Sequence, residues 1–165
     1  MDNGFISIPA FISHKKQGLP DCKISIFYLK PNAILPTYGS AEAAGADLYA
    51  CLDAPVTIQP GETAWIGTGI ALEVPKGCAG LIYARSSLGV KRGLAPANKV
   101  GVVDSDYRGE IRVVLLNHGK EAQTVEHGER VAQFIITPVL TPAYEEVEEL
   151  TDTMRGVGGF GSTGK

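Results

Sequence analysis

Positive charge is scarce in this sequence. Of its 165 residues, 15 are Lys or Arg against 18 Asp or Glu, a formal net charge of −3, and the basic residues form no run. A chain with that balance lacks the electrostatic footprint of a general nucleic-acid binder. Long hydrophobic runs are missing too. No apolar stretch approaches the roughly 18 residues that mark a membrane-spanning helix. The start, MDNGFISIPAFISHKKQG, has no basic segment followed by a long apolar core and does not read as a secretion signal. Cysteine is limited to Cys22, Cys51 and Cys78, odd in number, far apart and without C-x-x-C spacing. That argues against a disulfide framework and for free thiols in a reducing cytoplasm. Histidine is limited to His14, His118 and His127. None has zinc-site spacing or stands beside a candidate nucleophile, so zinc and serine-triad chemistry lack support.

What is present is strand pattern. Apolar residues make up 44% of the chain, a globular value, and the length suffices for one domain with a core. CKISIFYL (22–29) alternates, with Ile24, Ile26 and Tyr28 on one face. GIALEVP (69–75) sets Ile70, Leu72 and Val74 against Ala71 and Glu73. EIRVVLLN (110–117) and RVAQFIITPV (130–139) are apolar on both faces, as strands between two sheets are. Turn signals recur at QPGE (59–62), VPKG (74–77), NHGKE (117–121) and EHGE (126–129). Short strands punctuated in this way predict an all-β sandwich or barrel. Only SSLGVKRG (86–93) has the makings of a short helix opened by an N-cap. Residues 1–21 read as an extension, 22–147 as the barrel, and 148–165, acidic and then glycine-rich, as a mobile arm.

Three segments carry candidate chemistry. In YARSSLG (83–89), Arg85 can fork onto phosphate oxygens, and Ser86 and Ser87 stand where a helix begins; an ordinary capped turn is the alternative. NKVGVVDSDYRGEI (98–111) reads as a β-hairpin around DSDYRG. Its Asp104, Asp106 and Gly109 are ordinary turn formers. Yet Asn98 can read a base edge as donor and acceptor, Tyr107 offers a flat ring, and Asp104 can act as general base on a water. The end, RGVGGFGSTGK, holds G-x-G-x-x-G (Gly156, Gly158, Gly161) and G-x-x-x-x-G-K (Gly159 to Lys165). Both spacings belong to phosphate loops that open a helix, but the chain ends at Lys165.

Taken in order, AAGADLYA (43–50), ARSSLG (84–89), NKVGVVDSDYRGEI (98–111), GERVAQFI (128–135) and RGVGGFGSTG (155–164) resemble the five motifs of the trimeric dUTP diphosphatases, the dUTPases. The resemblance covers about residues 22–165. It implies a distorted jelly-roll-like β-barrel in a homotrimer whose subunits share active sites, acting on dUTP with Mg2+. It implies that Asp104 activates the attacking water. Asn98, with the backbone near Val102 and Val103 and a further backbone contact at Arg112, would pair with uracil. Tyr107 would sit under the deoxyribose and exclude a 2′-hydroxyl. Arg85, Ser86, Ser87 and Gln133 would hold phosphates, and Asp47 would act through waters near the metal. Arg155 would grip the terminal phosphate, Phe160 cover the uracil, and Gly161, Ser162 and Thr163 cradle the γ-phosphate. The glycine-rich end then becomes a lid whose scaffold is the ligand. Its eleven residues span at most roughly 35–40 Å, enough to reach a neighbouring subunit.

The sequence departs from the family at Ala84 and Ser87, where Pro and Gly are usual. The double serine resembles the related dCTP deaminases, and a dCTP deaminase or bifunctional deaminase–diphosphatase is the alternative activity, but RVVLLN (112–117) lacks their acid. A nucleotide-switched regulatory binding protein is the alternative of a different class.

Overall fold

The computed structural model describes residues 23–159. In chain order the elements are β1 (Ile26–Tyr28), β2 (Thr37–Tyr38), β3 (Ala46–Tyr49), β4 (Val56–Ile58), β5 (Thr63–Gly67), β6 (Ile70–Leu72) and β7 (Cys78–Tyr83), then α1 (Ser86–Arg92). They continue with β8 (Leu94–Pro96), β9 (Gly101–Val103), β10 (Arg112–Asn117), β11 (Gln123–Val125) and β12 (Arg130–Pro138). The larger sheet has the order β2-β3-β12-β7-β9, and a second sheet runs β5-β10-β8. Two further pairs, β1 with β6 and β4 with β11, complete the all-β jelly-roll-like barrel. Every ladder is antiparallel.

Alternation decides which side chains enter the core. Ile70, Leu72 and Val74 are buried together, while Glu73 faces solvent, as the sequence predicts. In β12, the longest strand, Val131, Ala132 and Phe134 are buried. They meet Leu48 and Ala50 from β3 and its end, Ile82 from β7, and Ile66, Val113 and Leu115 from the second sheet. Two predicted faces are corrected. Ile24 and Ile26 pack on the core, but Tyr28 is exposed because β1 is only three residues long and pairs with β6 alone. In β10, Val113, Leu115 and Asn117 are inward, whereas Arg112 is exposed and Val114 and Leu116 are only half-buried, because no second layer covers that face within the chain.

A side chain is missing by necessity at Gly80. A methyl group there would overlap Cζ of Phe134, so the ring rests on bare β7 backbone. Gly80→Ala should therefore lower stability by about 1–3 kcal/mol, the usual range for overpacking. Phe134→Leu in the same chain should recover part of that loss. Denaturant midpoints of the single and double variants check both; an unshifted midpoint in Gly80→Ala would mean that the ring gives way freely.

The corner after β9 differs from the expected hairpin. β9 pairs with β7, and β10 pairs with β5 and β8, with no β9–β10 ladder among the described residues. Residues 104–111 thus cross from one sheet to the other. The helix over 86–93 is present, closed by Gly93 in the left-handed region at φ 67, whose N–H donates to the Leu88 carbonyl. Its expected serine cap is not formed. Arg85 holds the N-cap position without a side-chain cap, and its guanidinium is engaged elsewhere.

Candidate functional site

The corner between the sheets makes one wall of a cleft of about 250 Å3. Asn98, Val102, Val103, Asp104, Tyr107 and Arg112 all line it. The turn that presents Asn98 is tight. Lys99 has φ 66, an uncommon conformation for a side-chain-bearing residue, and its N–H donates to the Pro96 carbonyl over 3.0 Å. Tyr107 is fixed at two points. Its hydroxyl donates to the Glu110 carbonyl over 3.0 Å, and its ring lies where a methyl group on Gly109 would overlap the phenol oxygen. Glycine is needed at 109 for this ring position, beyond any demand of the turn. The Asp104 carboxylate is exposed and, among the described residues, has no hydrogen-bond or ion-pair partner. It is placed to receive a water. Arg112 offers more than backbone, since its guanidinium stacks 4.9 Å from the Trp65 ring centroid at the lip of the cleft.

A second hollow, of about 510 Å3, collects cations. Arg85, Lys91, Arg92 and Arg130 line it with Ser87, against a single acid, Glu129. Arg92 is committed to the Glu129 carboxylate, the Gln123 amide and the Thr124 carbonyl. Arg85 and Arg130 share the buried Asp47. Arg85 Nε donates to Asp47 Oδ1 at 2.9 Å, and Arg130 Nη1 donates to Oδ2 at 3.1 Å. Other contacts of Arg85 are long, at 3.4 Å to Ser87 Oγ and 3.4 Å to the Arg130 carbonyl, which leaves its outer edge open to an anion. Ser86 and Ser87 form the exposed first turn of α1. Gln133 is half-buried and stands in register with Asp47 on one side and Tyr83 on the other.

The two hollows do not meet within one chain. β7 and β9 are antiparallel, with Gly80 opposite Val103 and Ile82 opposite Gly101. Arg85 follows the end of β7, and Asp104 follows the end of β9, so they leave the ladder in opposite directions. At about 3.3 Å per residue they stand roughly 15–20 Å apart. Arg155 lies in an exposed turn, where its Nε donates to the Gly158 carbonyl over 2.8 Å. Phe160, Gly161, Ser162 and Thr163 lie outside the described residues.

Sequence reasoning did not single out Lys91, Arg130 or Trp65, which line the two hollows. Arg130 stands inside the GERVAQFI segment, where its charge is a usable signal; Trp65 gives no local signal. Neither described cysteine adds chemistry. Burial pushes the Cys51 thiol up from its ordinary pKa, which marks a packed thiol rather than a nucleophile. Among the described residues, no three His, Cys, Asp or Glu side chains gather into a metal site. No helix among them is long and apolar enough to cross a membrane.

Comparison with known proteins gives this geometry a family. The family model described as dUTPase matches residues 31–164. A deoxyuridine 5'-triphosphate nucleotidohydrolase of Nautilia profundicola is 50% identical over 143 residues, covering 87% of this chain and 99% of the relative. The enzyme of the same name from Acinetobacter baumannii is 48% identical over 132 residues, covering 79% and 88%. Among solved structures, the Staphylococcus bacteriophage 80alpha dUTPase with dUpNHpp superposes with a TM-score of 0.80 at 27% identity, over 87% of this chain and 99% of that one. The match spans both hollows and the glycine-rich end, so a base-sized cleft, a cationic hollow and the barrel that carries them fall within one family's pattern, and the chain belongs to the dUTPases.

Proposed function

We propose that this chain hydrolyses dUTP to dUMP and diphosphate, as a homotrimer of barrels (22–147) with carboxy-terminal arms (148–165). One observation carries the reading. Asn98, Asp104 and Tyr107 share one cleft, while the cations that suit phosphates lie at the far end of the same ladder. A triphosphate held at its α-phosphorus by Asp104 cannot also touch Arg85 of the same chain. Juxtaposing the cleft of one subunit with the cationic hollow of another closes that gap, and a trimer does so three times.

In this reading Asn98 and the backbone at Val102, Val103 and Arg112 pair with uracil. Tyr107, pinned by Glu110 and Gly109, lies against the deoxyribose and leaves no space for a 2′-hydroxyl. Arg85, Ser86, Ser87 and Gln133 hold the phosphates. Asp104 takes a proton from the water as its oxygen attacks the α-phosphorus; the bond to the bridging oxygen breaks, and diphosphate leaves. Arg155, Phe160, Gly161, Ser162 and Thr163 arrive from an arm and close the site against bulk water. The donor set fits a Mg2+ carried by the triphosphate rather than caged by protein, since Asp47 is buried behind Arg85 and Arg130 and both its oxygens already receive guanidinium groups. When bound, the ion would neutralise phosphate charge, with Asp47 reaching its waters through remaining lone pairs. The free thiols of Cys51 and Cys78 suit the reducing cytoplasm as the place of action.

The test is turnover of dUTP beside dTTP, dCTP and UTP. Hydrolysis of dUTP no faster than of UTP, or release of ammonia from dCTP, would sink this reading. Tyr107→Ala should then erode the preference for dUTP over UTP by opening the sugar side of the cleft. Gly109→Ala should do the same by displacing the ring. An unchanged dUTP/UTP ratio of kcat/KM in both variants would assign the sugar check to another residue.

A further inference from the structure

Arg130 occupies a position that strand geometry alone would not give it. Counting back from Phe134 and Ala132, which point into the core, regular alternation would send Arg130 inward as well. The ladder between β12 and β3 shifts register between Arg130 and Ala132. Val131 and Ala132 are consequently both buried, and Arg130 emerges on the face of Gln133 and Asp47. Bulges of this kind re-aim a side chain. What it is aimed at is Asp47 Oδ2, 3.1 Å away, on a carboxylate whose side chain is 4% exposed and whose other oxygen holds Arg85.

The electrostatic consequence follows from counting charges. Asp47 with Arg85 alone would be a neutral pair, and a neutral pair does little to attract an anion. With Arg130 the group is two guanidinium ions around one carboxylate, and one positive charge is left over. Arg92 does not contribute in the same way, because Glu129 neutralises it. Arg85 is meanwhile held by its Nε edge, so its outer donors keep both direction and charge.

We infer that Arg130 is a positioning residue of the phosphate-binding hollow: through Asp47 it fixes the direction of Arg85 and keeps that guanidinium from being neutralised. Arg130 thereby raises affinity for the di- and triphosphate end of a ligand, not for its base. This rests on the reading of the hollow as the phosphate side of the site.

The experiment uses the full chain and inorganic diphosphate as probe, by calorimetry at low salt, with dUTP kinetics in parallel. Arg130→Gln should weaken diphosphate binding about ten-fold or more, the size expected for a lost charged contact. It should raise KM for dUTP more than it lowers kcat. Arg130→Lys should restore part of the affinity, since charge returns without the fork. Adding Asp47→Asn to Arg130→Gln should also restore affinity, because Arg85 is then no longer neutralised; a merely structural Arg130 would make that double variant worse than the single. Unchanged diphosphate affinity in Arg130→Gln overturns the proposal. Should that single variant fail to fold, the double variant is compared with Asp47→Asn alone: similar diphosphate affinity in the two is expected, since Arg130 acts through Asp47, and a further loss of about ten-fold in the double variant overturns the proposal. Absence of dUTP turnover in the wild-type protein, with the diphosphate results as expected, would sink the proposed activity and leave the role of Arg130 standing.

Discussion

Replacing Asp104 with Asn should leave a folded protein that binds dUTP and hydrolyses it about 10²- to 10⁴-fold more slowly, the range for a lost general base. Asn is nearly isosteric but cannot take the proton of the attacking water. The wild-type carboxylate is exposed and has no protein partner among the described residues, so the change breaks no internal hydrogen bond or ion pair. Nor does it alter the wall formed by Asn98, Val102 and Tyr107. Stability should therefore move little while kcat collapses, and the two are separated by a melting curve and a single-turnover rate. A variant with near-normal kcat would remove Asp104 from the mechanism.

Deletion of residues 154–165 should be the second large loss. Met154 and Val157 are fully exposed, and the side chain of Arg155 reaches only the Gly158 carbonyl of its own turn. Nothing in the core depends on them, so the barrel should fold and bind dUMP almost as before. Hydrolysis should nevertheless fall steeply, because in the proposed function Arg155 and the glycine-rich backbone would serve the β- and γ-phosphates and the exclusion of water. Phe160→Ala should be milder, one aromatic stacking contact being worth roughly 0.5–1.5 kcal/mol. Mixing supplies a sharper measurement. Arm-deleted subunits are combined with Asp104→Asn subunits that keep the arm. If arm and cleft come from different subunits, some mixed trimers contain a site with Asp104 intact and a donated arm, and activity should reappear. No recovery despite demonstrated subunit exchange would indicate an arm that closes over its own chain.

Much of this protein is legible in its amino-acid sequence. Alternation at Ile70, Leu72 and Val74 and the dense apolar pattern of 130–138 locate core strands, because a period of two is a local property that a sheet must satisfy. The helix at 86–92 and its end at Gly93 are equally local, since a left-handed residue closing a helix is most often glycine. The five motifs, in their order along the chain, carry the family resemblance. Which strand each segment pairs with is not legible. DSDYRG is a good turn whether it joins two strands of one sheet or crosses between two, and only long-range pairing of β9 with β7 and β10 with β5 chooses the second. The bare backbone at Gly80 has meaning only once Phe134, from a distant strand, is laid on it. Arg85 reads as a free cation beside a helix cap; in the fold it takes the N-cap position itself, where a guanidinium has no acceptor to offer the helix, and it is tied to Asp47 instead. Arg130 is hidden most thoroughly. Its ion pair joins residues 83 positions apart, and a register shift must first turn it out of the core. Local periodicity records which way a regular strand would point. Bulges, shared buried charges and the pairing of distant strands arise from contacts that exist only after the chain has folded, and these decide where the site's charges stand.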